Sequence, residues 1–518
     1  MWRRVYLGLL AVRLYFALQP SYIHPDEHFQ GPEVIAGQSD SIAVWIPYTD
    51  FFAGEVFGWP YHKTWEFTSA NPIRSIFPLS LVYGFPLTIL KWIWEGHGYG
   101  AVPPLLAFYI LRVLMFVLSF VLEDWAIHEL LPLPRERHVA ITLIASSYVT
   151  WTFQTHTFSN SIETLLVLWC IVLIQRIRTN TESTMARSCA ALAFLGVLGT
   201  FNRITFPAFL VIPAVQLVPH LFVRTLRIPI LVFAVMFTVA IGITMDTEFY
   251  TGIRPGLLDL YNAPVFTPWN NLMYNMDSTN LAKHGLHPFW QHFAANLPQL
   301  MGPTIPLVLL SSRRDALFWS GISGIALLSC FKHQEARFLL PAIPLLLACV
   351  KVPRRLARTW TGTWILFNVL AGIVFGIYHQ GGVVPAQTWI SQQSNIGHVF
   401  WWKTYSPPHW LLDGSNSWVT THDFMGMPWD EMVVNLRRRT NFDPDTNRTL
   451  LVAPLLSHNL DASVRYHDDM IGLSFHKLWS HRQHVGLDDL DFGDDGVWPT
   501  LERVVGKRGL GVWEVLEQ

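Results

Sequence analysis

Apolar runs of about twenty residues recur along most of this 518-residue chain, and they leave few folds open to it. A helix needs roughly 20 apolar residues to cross the hydrocarbon core of a bilayer, whereas a soluble domain would interleave such runs with more charge. Only 14% of the residues are Asp, Glu, Lys or Arg, against 51% hydrophobic, and 23 are Trp. Together with a mean hydropathy of +0.29, this predicts an all-α polytopic membrane protein. The first run, Met1 to Gln19, opens with Arg3 and Arg4 and stops before Pro20. Arg13 in its middle is foreign to the uniformly apolar core of a signal peptide, so a retained helix is expected. Further crossings are expected near 139–158, 160–177, 186–201, 206–223, 228–246, 298–311, 314–330, 336–350 and 359–378.

Sidedness follows from the basic residues, because cytoplasmic ends of membrane helices collect Lys and Arg. Arg135 and Arg137, Arg176 and Arg178, Arg224 and Arg227, Arg313 and Arg314, and Lys351 to Arg358 fall at alternate connections. The other connections are then lumenal, including residues 20–75, Thr155 to Glu163, Asn202 to Pro207, Asp246 to Pro298, Phe331 to Arg337 and everything after His379. Residues 76–130 read as two helices, yet the alternation needs one crossing or three there, so the expected total is about 11 to 13. Composition changes at Gly381, beyond which 138 residues carry 17 acidic and 11 basic side chains. Residues 1–380 are therefore expected to form the membrane domain, and 381–518 a small mixed α/β lumenal domain with short apolar runs between Asp- and Gly-rich turns. The sequon at Asn447 lies in that tail and is an expected glycosylation site. A net charge of -1 without a basic stripe argues against nucleic-acid binding, and four cysteines in apolar stretches suggest no disulfide framework.

With sidedness drawn, the unusual polar clusters gather on the lumenal face. The first loop supplies His24, Asp26, Glu27 and His28, then Trp65, Glu66, Asn71, Arg74 and Ser75. Later loops add His156, Asn160 and Glu163; Asn202 and Arg203; His284 and His287; and His333, Gln334, Glu335 and Arg337. Ionisable groups at membrane depth are costly and usually line an aqueous cavity or a functional site. Plainer roles exist for several of them. Arg13 can snorkel, or contact an anionic headgroup or an internal carboxylate; Trp65 can anchor at the interface, and His333 with Arg337 can simply end a span. His284 and His287 have a metal-ligand spacing but no obvious third ligand, so no metal is expected. The acidic pair after Pro25 points more firmly to chemistry. A carboxylate in such a cavity can act as general base on a sugar hydroxyl. A glycosidase needs a second carboxyl to protonate its leaving group, whereas a lipid-linked phosphate departs without one and asks only for cations such as Arg74, Arg203 or Arg337.

Three stretches carry a resemblance: His24-Pro-Asp-Glu-His-Phe-Gln; Thr64-Trp-Glu-Phe with Arg74-Ser75; and His333-Gln-Glu-Ala-Arg-Phe-Leu-Leu-Pro341. They are similar to the signatures of glycosyltransferase family 22, the dolichol-phosphate-mannose-dependent mannosyltransferases of the endoplasmic reticulum membrane. Asn202-Arg-Ile-Thr-Phe-Pro207, His284-Gly-Leu-His-Pro288 and Tyr378-His-Gln-Gly-Gly-Val-Val-Pro385 resemble most the branch that extends the glycosylphosphatidylinositol (GPI) precursor. The resemblance implies a GT-C fold and an inverting transfer of mannose from dolichyl phosphate mannose, α1,2-linked, to the third mannose of that precursor. The family's acidic first-loop motif falls on Asp26 and Glu27, with Asp26 the expected base and Glu27 orienting substrate or neighbouring loop residues. Substrate contacts are expected from His24, His28, Trp65, Glu66, Arg74, Asn160, Glu163, Arg203, His284, His287, His333, Glu335 and Arg337. The implied partners are the two lipid substrates, with no cofactor and no obligate protein partner. A mannosyltransferase of lipid-linked N-glycan assembly, or a lipid carrier without catalysis, are the alternative readings.

Overall fold

The computed structural model describes residues 2–37, 56–179, 185–223, 226–282, 285–311, 313–413, 418–439, 448–457, 460, 472–487, 490 and 496–517. Among these, seven helices are long and apolar enough to cross a membrane: Ile76–Gly96, Pro104–Leu130, Ser159–Thr179, Met185–Asn202, Phe206–Val223, Arg227–Thr251 and Ala357–Tyr378. The chain is a multi-pass membrane protein.

Packing of the first helix, Trp2–Ala17, against Pro104–Leu130 sets the frame. The two run antiparallel: Arg112 donates to Ser21 O at 2.7 Å, Arg13 meets Glu123 at 3.1 Å, and Tyr6 meets Asp124. Arg13 thus takes the internal carboxylate rather than snorkelling, and both members of the pair are buried. The start of Pro104–Leu130 accordingly shares a face of the bundle with the His24 loop. Ile76–Gly96 begins at Asp246, whose Oδ1 accepts from Ile76 N at 2.9 Å, and reaches Pro104 through turns closed by Gly98 N to Glu95 O and Tyr99 N to Trp94 O. Seven residues, even fully extended, reach only about 25 Å, less than the roughly 30 Å hydrocarbon core. Ile76–Gly96 therefore starts and ends on the His24 face.

Three expected spans are broken helices. Pro134–Ala145 stops and resumes as Tyr148–Trp151, and the amide freed at Tyr148 bonds Asn368 Oδ1 at 2.7 Å. The 298–311 region divides into Leu297–Met301, a 3-10 turn Gly302–Thr304 and Ile305–Leu309 around Pro298, Pro303 and Pro306. The 336–350 region divides into a 3-10 turn Ala336–Leu339 and the helix Ala342–Leu347, with Pro341 and Pro344 between and within them. Proline removes an amide donor and crowds the preceding turn, and such breaks persist at membrane depth where neighbours satisfy the backbone.

The tail is a mixed sheet in the order β2-β1-β3-β5-β4. Its strands are β1 Ile396–Trp401, β2 Thr420–Asp423, β3 Arg448–Pro454, β4 Leu473–His481 and β5 Leu510–Glu517. β1 pairs parallel with β2 and β3; β5 pairs antiparallel with β3 and β4. Alternation with period two sends Val399, Trp401, Leu450, Val452 and Val512 to one face and Phe400, Trp402, Leu451, Ala453 and Trp513 to the other. Helix Val383–Ser391 covers the first face and Trp429–Arg439 the second. Tyr22, from the first loop, is buried in the former cluster and donates its hydroxyl to Ser406 O at 2.8 Å. Trp59 stacks on Trp410 with centroids 5.7 Å apart, so the sheet domain is fastened to the loop that carries the acidic pair.

Candidate active site

Pro25 precedes a four-residue helix, Asp26–Phe29, whose adjacent side chains diverge by about 100°. Asp26 and Glu27 therefore face different surroundings. Glu27 is fully buried, with His156 Nδ1 at 2.5 Å, His28 Nε2 at 3.2 Å and Arg112 Nη2 at 3.5 Å. Thr157 Oγ1 donates to Glu27 O at 2.6 Å. Burial pushes the Glu27 carboxyl up, but His156 and Arg112 more than offset it and hold the group well below the usual carboxylate range. Burial, helped by Arg112, draws His156 down to about 4, so at neutral pH it is an uncharged donor to Glu27. The loop is also clasped from outside. Tyr83 donates to Thr157 O at 3.0 Å and lies against Gly31, where an added Cβ would come within 2.8 Å of its ring.

Asp26 points the other way, into a cavity of about 440 Å³. One part of the wall is polar, formed by His24, Asp26, Glu66, Arg74, Arg203, His333, Glu335 and Arg337. Another is apolar, with Ile204, Ala208, Leu272, Leu281, Leu328 and Phe331. Trp65 and Tyr274, with ring centroids 4.8 Å apart, add an aromatic edge. Such a chamber suits a ligand that is part sugar phosphate and part hydrocarbon.

Each arginine of the cavity is matched to a carboxylate. Arg337 bonds Asp26 through Nη1 and Glu335 through Nε. Arg74 forks onto Glu66 Oε1 from Nε at 3.1 Å and Nη2 at 2.8 Å. Arg203 Nε lies 3.4 Å from Glu163 Oε2, and its Nη1 donates to Ser159 Oγ at 2.9 Å. Burial, partly offset by Glu163, draws Arg203 down to about 10, which leaves it charged. Asp26 also has His24 Nδ1 at 3.4 Å and accepts from Gln30 Nε2. Burial pushes Asp26 up; Arg337, then His24, outweigh this and keep it ionised.

The structure brings nine of the expected residues to the cavity wall: His24, Asp26, Trp65, Glu66, Arg74, Arg203, His333, Glu335 and Arg337. Glu27, expected to orient substrate or neighbouring loop residues, turns away from the cavity and meets His28 and Thr157 of the loops around it. His28 is buried with it, against Tyr22 and Phe108. Asn160 and Glu163 lie behind Arg203, where Asn160 Nδ2 donates to Glu163 Oε2 at 3.2 Å. His287 sits off the wall, accepting from Gln334 N at 3.3 Å. His284 and Asn447 lie outside the described residues. No group of three His, Cys, Asp or Glu side chains able to hold a metal occurs among the described residues. Sequence reasoning passed over Arg112, Gln30 and Tyr274. A guanidinium eight residues into the apolar run from Pro104 was the available signal for Arg112.

The profile of the Alg9-like mannosyltransferase family matches residues 4–412, from the first helix through the docked edge of the sheet domain. The chain belongs to this family. Among its relatives, a protein of Aspergillus oryzae named GPI mannosyltransferase 4 is 46% identical over 99% of this chain and 98% of its own length. Proteins of the same name from Emericella nidulans and Saccharomyces cerevisiae are 46% and 35% identical, over 99% and 79% of this chain and 98% and 77% of their own. ArnT from Cupriavidus metallidurans, solved bound to undecaprenyl phosphate, superposes with a TM-score of 0.52 at 11% identity, over 99% of this chain and 98% of its own. That likeness shows the fold, GT-C, which the family resemblance had implied.

Proposed function

We propose that this mannosyltransferase adds the fourth mannose to the GPI precursor, taking it from dolichyl phosphate mannose and joining it α1,2 to the third mannose. The cavity then opens to the lumen of the endoplasmic reticulum. The observation that carries the reading is Asp26, an ionised carboxylate in an amphipathic chamber whose polar wall holds three arginines. The name shared by the full-length relatives supports the GPI acceptor, and the undecaprenyl phosphate bound to ArnT supports a polyprenyl-linked donor.

In this reading the acceptor hydroxyl gives its proton to Asp26 while its oxygen bonds mannose C1. The bond from C1 to the phosphate oxygen breaks, and its electron pair leaves on dolichyl phosphate. Attack opposite the leaving group inverts the β-linked donor to an α-linked product. Arg337, with Arg203 and Arg74 nearby, meets the charge on the departing phosphate, so the step is drawn with no cofactor. The apolar wall receives the first isoprenes of the donor. Trp65 and Tyr274 offer ring faces to the acceptor sugars.

The test is the lipid that accumulates in microsomes carrying Asp26→Asn, which keeps the shape of the side chain and loses proton acceptance. A three-mannose GPI intermediate with stably inserted protein is expected. Normal four-mannose lipid overturns Asp26 as the base, and truncated N-glycan precursors move the acceptor to lipid-linked N-glycan assembly.

A further inference from the structure

Three cation–carboxylate pairs face the cavity, and a phosphodiester monoanion that takes the guanidinium edge facing one of these carboxylates displaces it. Glu163 is fully buried and is held by Thr205 Oγ1 at 2.5 Å as well as by Arg203, so that pair is part of the wall. Arg74 and Glu66 form a fork within one short segment. Arg337 differs from both, because it bridges two carboxylates by separate atoms: Nε to Glu335 and Nη1 to Asp26. Glu335 is itself fixed by His333 Nε2 at 2.8 Å, so the planar guanidinium can pivot on its Nε bond to Glu335 and carry Nη1 off Asp26. Asp26 would not collapse on losing Arg337, since Gln30 and His24 still hold it.

We propose that Arg337 exchanges partners on donor binding, leaving Asp26 for the lipid phosphate while Glu335 holds its Nε, and that this exchange unmasks Asp26 as the base. The inference rests on the polyprenyl phosphate donor proposed above. A carboxylate paired with a guanidinium is a poor proton acceptor, and one released beside a newly bound anion is a better one. The base is thereby armed only when a donor is present. No bond is made or broken in the exchange; the proton moves later, from acceptor to Asp26.

The experiment measures binding of farnesyl phosphate, a soluble stand-in for the lipid product, to the purified full-length protein in detergent. Because Asp26 competes with the ligand for Arg337, Asp26→Asn should bind at least about fivefold more tightly than the natural chain. In an Arg337→Gln background the same change should gain nothing, whereas in an Arg203→Gln background the gain should persist. An equal gain in the Arg337→Gln background means plain charge repulsion and overturns the exchange, as does no gain at all. Failure of the natural chain to bind farnesyl phosphate overturns instead the donor reading on which the exchange depends. Infrared difference spectra need no Arg337 variant. Adding farnesyl phosphate should shift a carboxylate band that is missing in Asp26→Asn, and an unshifted band sinks the proposal.

Discussion

Replacing Arg112 by Met keeps most of the side-chain length and removes its charge from the Glu27 cluster. The two groups are 3.5 Å apart and each is about 1% exposed or less. At that separation an effective dielectric of about 20 gives an attraction of about 5 kcal/mol, of which desolvation cancels part. Removing one member of a buried pair typically costs about 3–5 kcal/mol, because the other charge is left without compensation. Arg112→Met also loses the 2.7 Å bond to Ser21 O, which tethers the chain just before the His24 loop. The expected result is a clearly lower half-inactivation temperature in detergent and a fall in kcat, with KM changed much less, since Asp26 loses its seating and the cavity keeps its wall. The double variant Arg112→Met/Glu27→Gln removes both charges and should be more stable than the sum of the single losses by about 1–3 kcal/mol. A single variant with unaltered heat resistance and kcat would refute the positioning role of the cluster.

The same cluster sets a pH response. His156 is held at about 4, below its ordinary 6.5, and Glu27 below its ordinary 4.5, so the unfolded chain binds more protons than the folded one in acid. Stability should therefore fall as pH drops from about 6.5 towards 4 through His156, and below about 4.5 through Glu27 as well; His156→Gln should flatten the upper part of a plot of half-inactivation temperature against pH. Arg13→Leu should destabilise the bundle by stranding Glu123, and Arg13→Leu/Glu123→Leu should recover most of the loss in the same heat-inactivation assay. Endoglycosidase treatment of the microsomal protein should remove one glycan's worth of mass, and Asn447→Gln should abolish the shift. An unmodified chain would weaken the lumenal placement of the tail.

How far the sequence could be read depended on where each partner lies along the chain. The tail's short apolar runs at Leu450 to Leu456 and Gly511 to Leu516 became β3 and β5, because alternation along a strand is local information. The acidic loop was legible as a site for the same reason, being one unbroken stretch of chain. The division of labour within it was not. Asp26 and Glu27 are neighbours of similar chemistry, and what separates them is Arg337 from more than 300 residues downstream for one, and Arg112 and His156 for the other. Helix length left the crossings of residues 76–130 open in a similar way. Ile76–Gly96 has the length and hydropathy of a crossing, yet its ends are tied to Asp246 and Pro104 on one face, a constraint that hydropathy does not contain. The broken helices at 298–311 and 336–350 were foreshadowed by their prolines, which the apolar runs concealed.

Asp26, the base in the proposed reaction, sits on a helix of only four residues, too short to hold itself in place. Its position is supplied by four separate parts of the protein. Arg112 and His156 grip Glu27 from within the bundle, Tyr83 closes over Gly31, and Tyr22 plugs the sheet domain. Glu27 is thus the anchor that fixes where Asp26 stands, without itself pairing with Asp26. Glu27 commits its charge to burial, while Asp26 keeps an exposed edge and a partner that, in the proposed exchange, it gives up. In the proposed reaction the two adjacent carboxylates divide the work, one locked into the protein and the other available to a substrate.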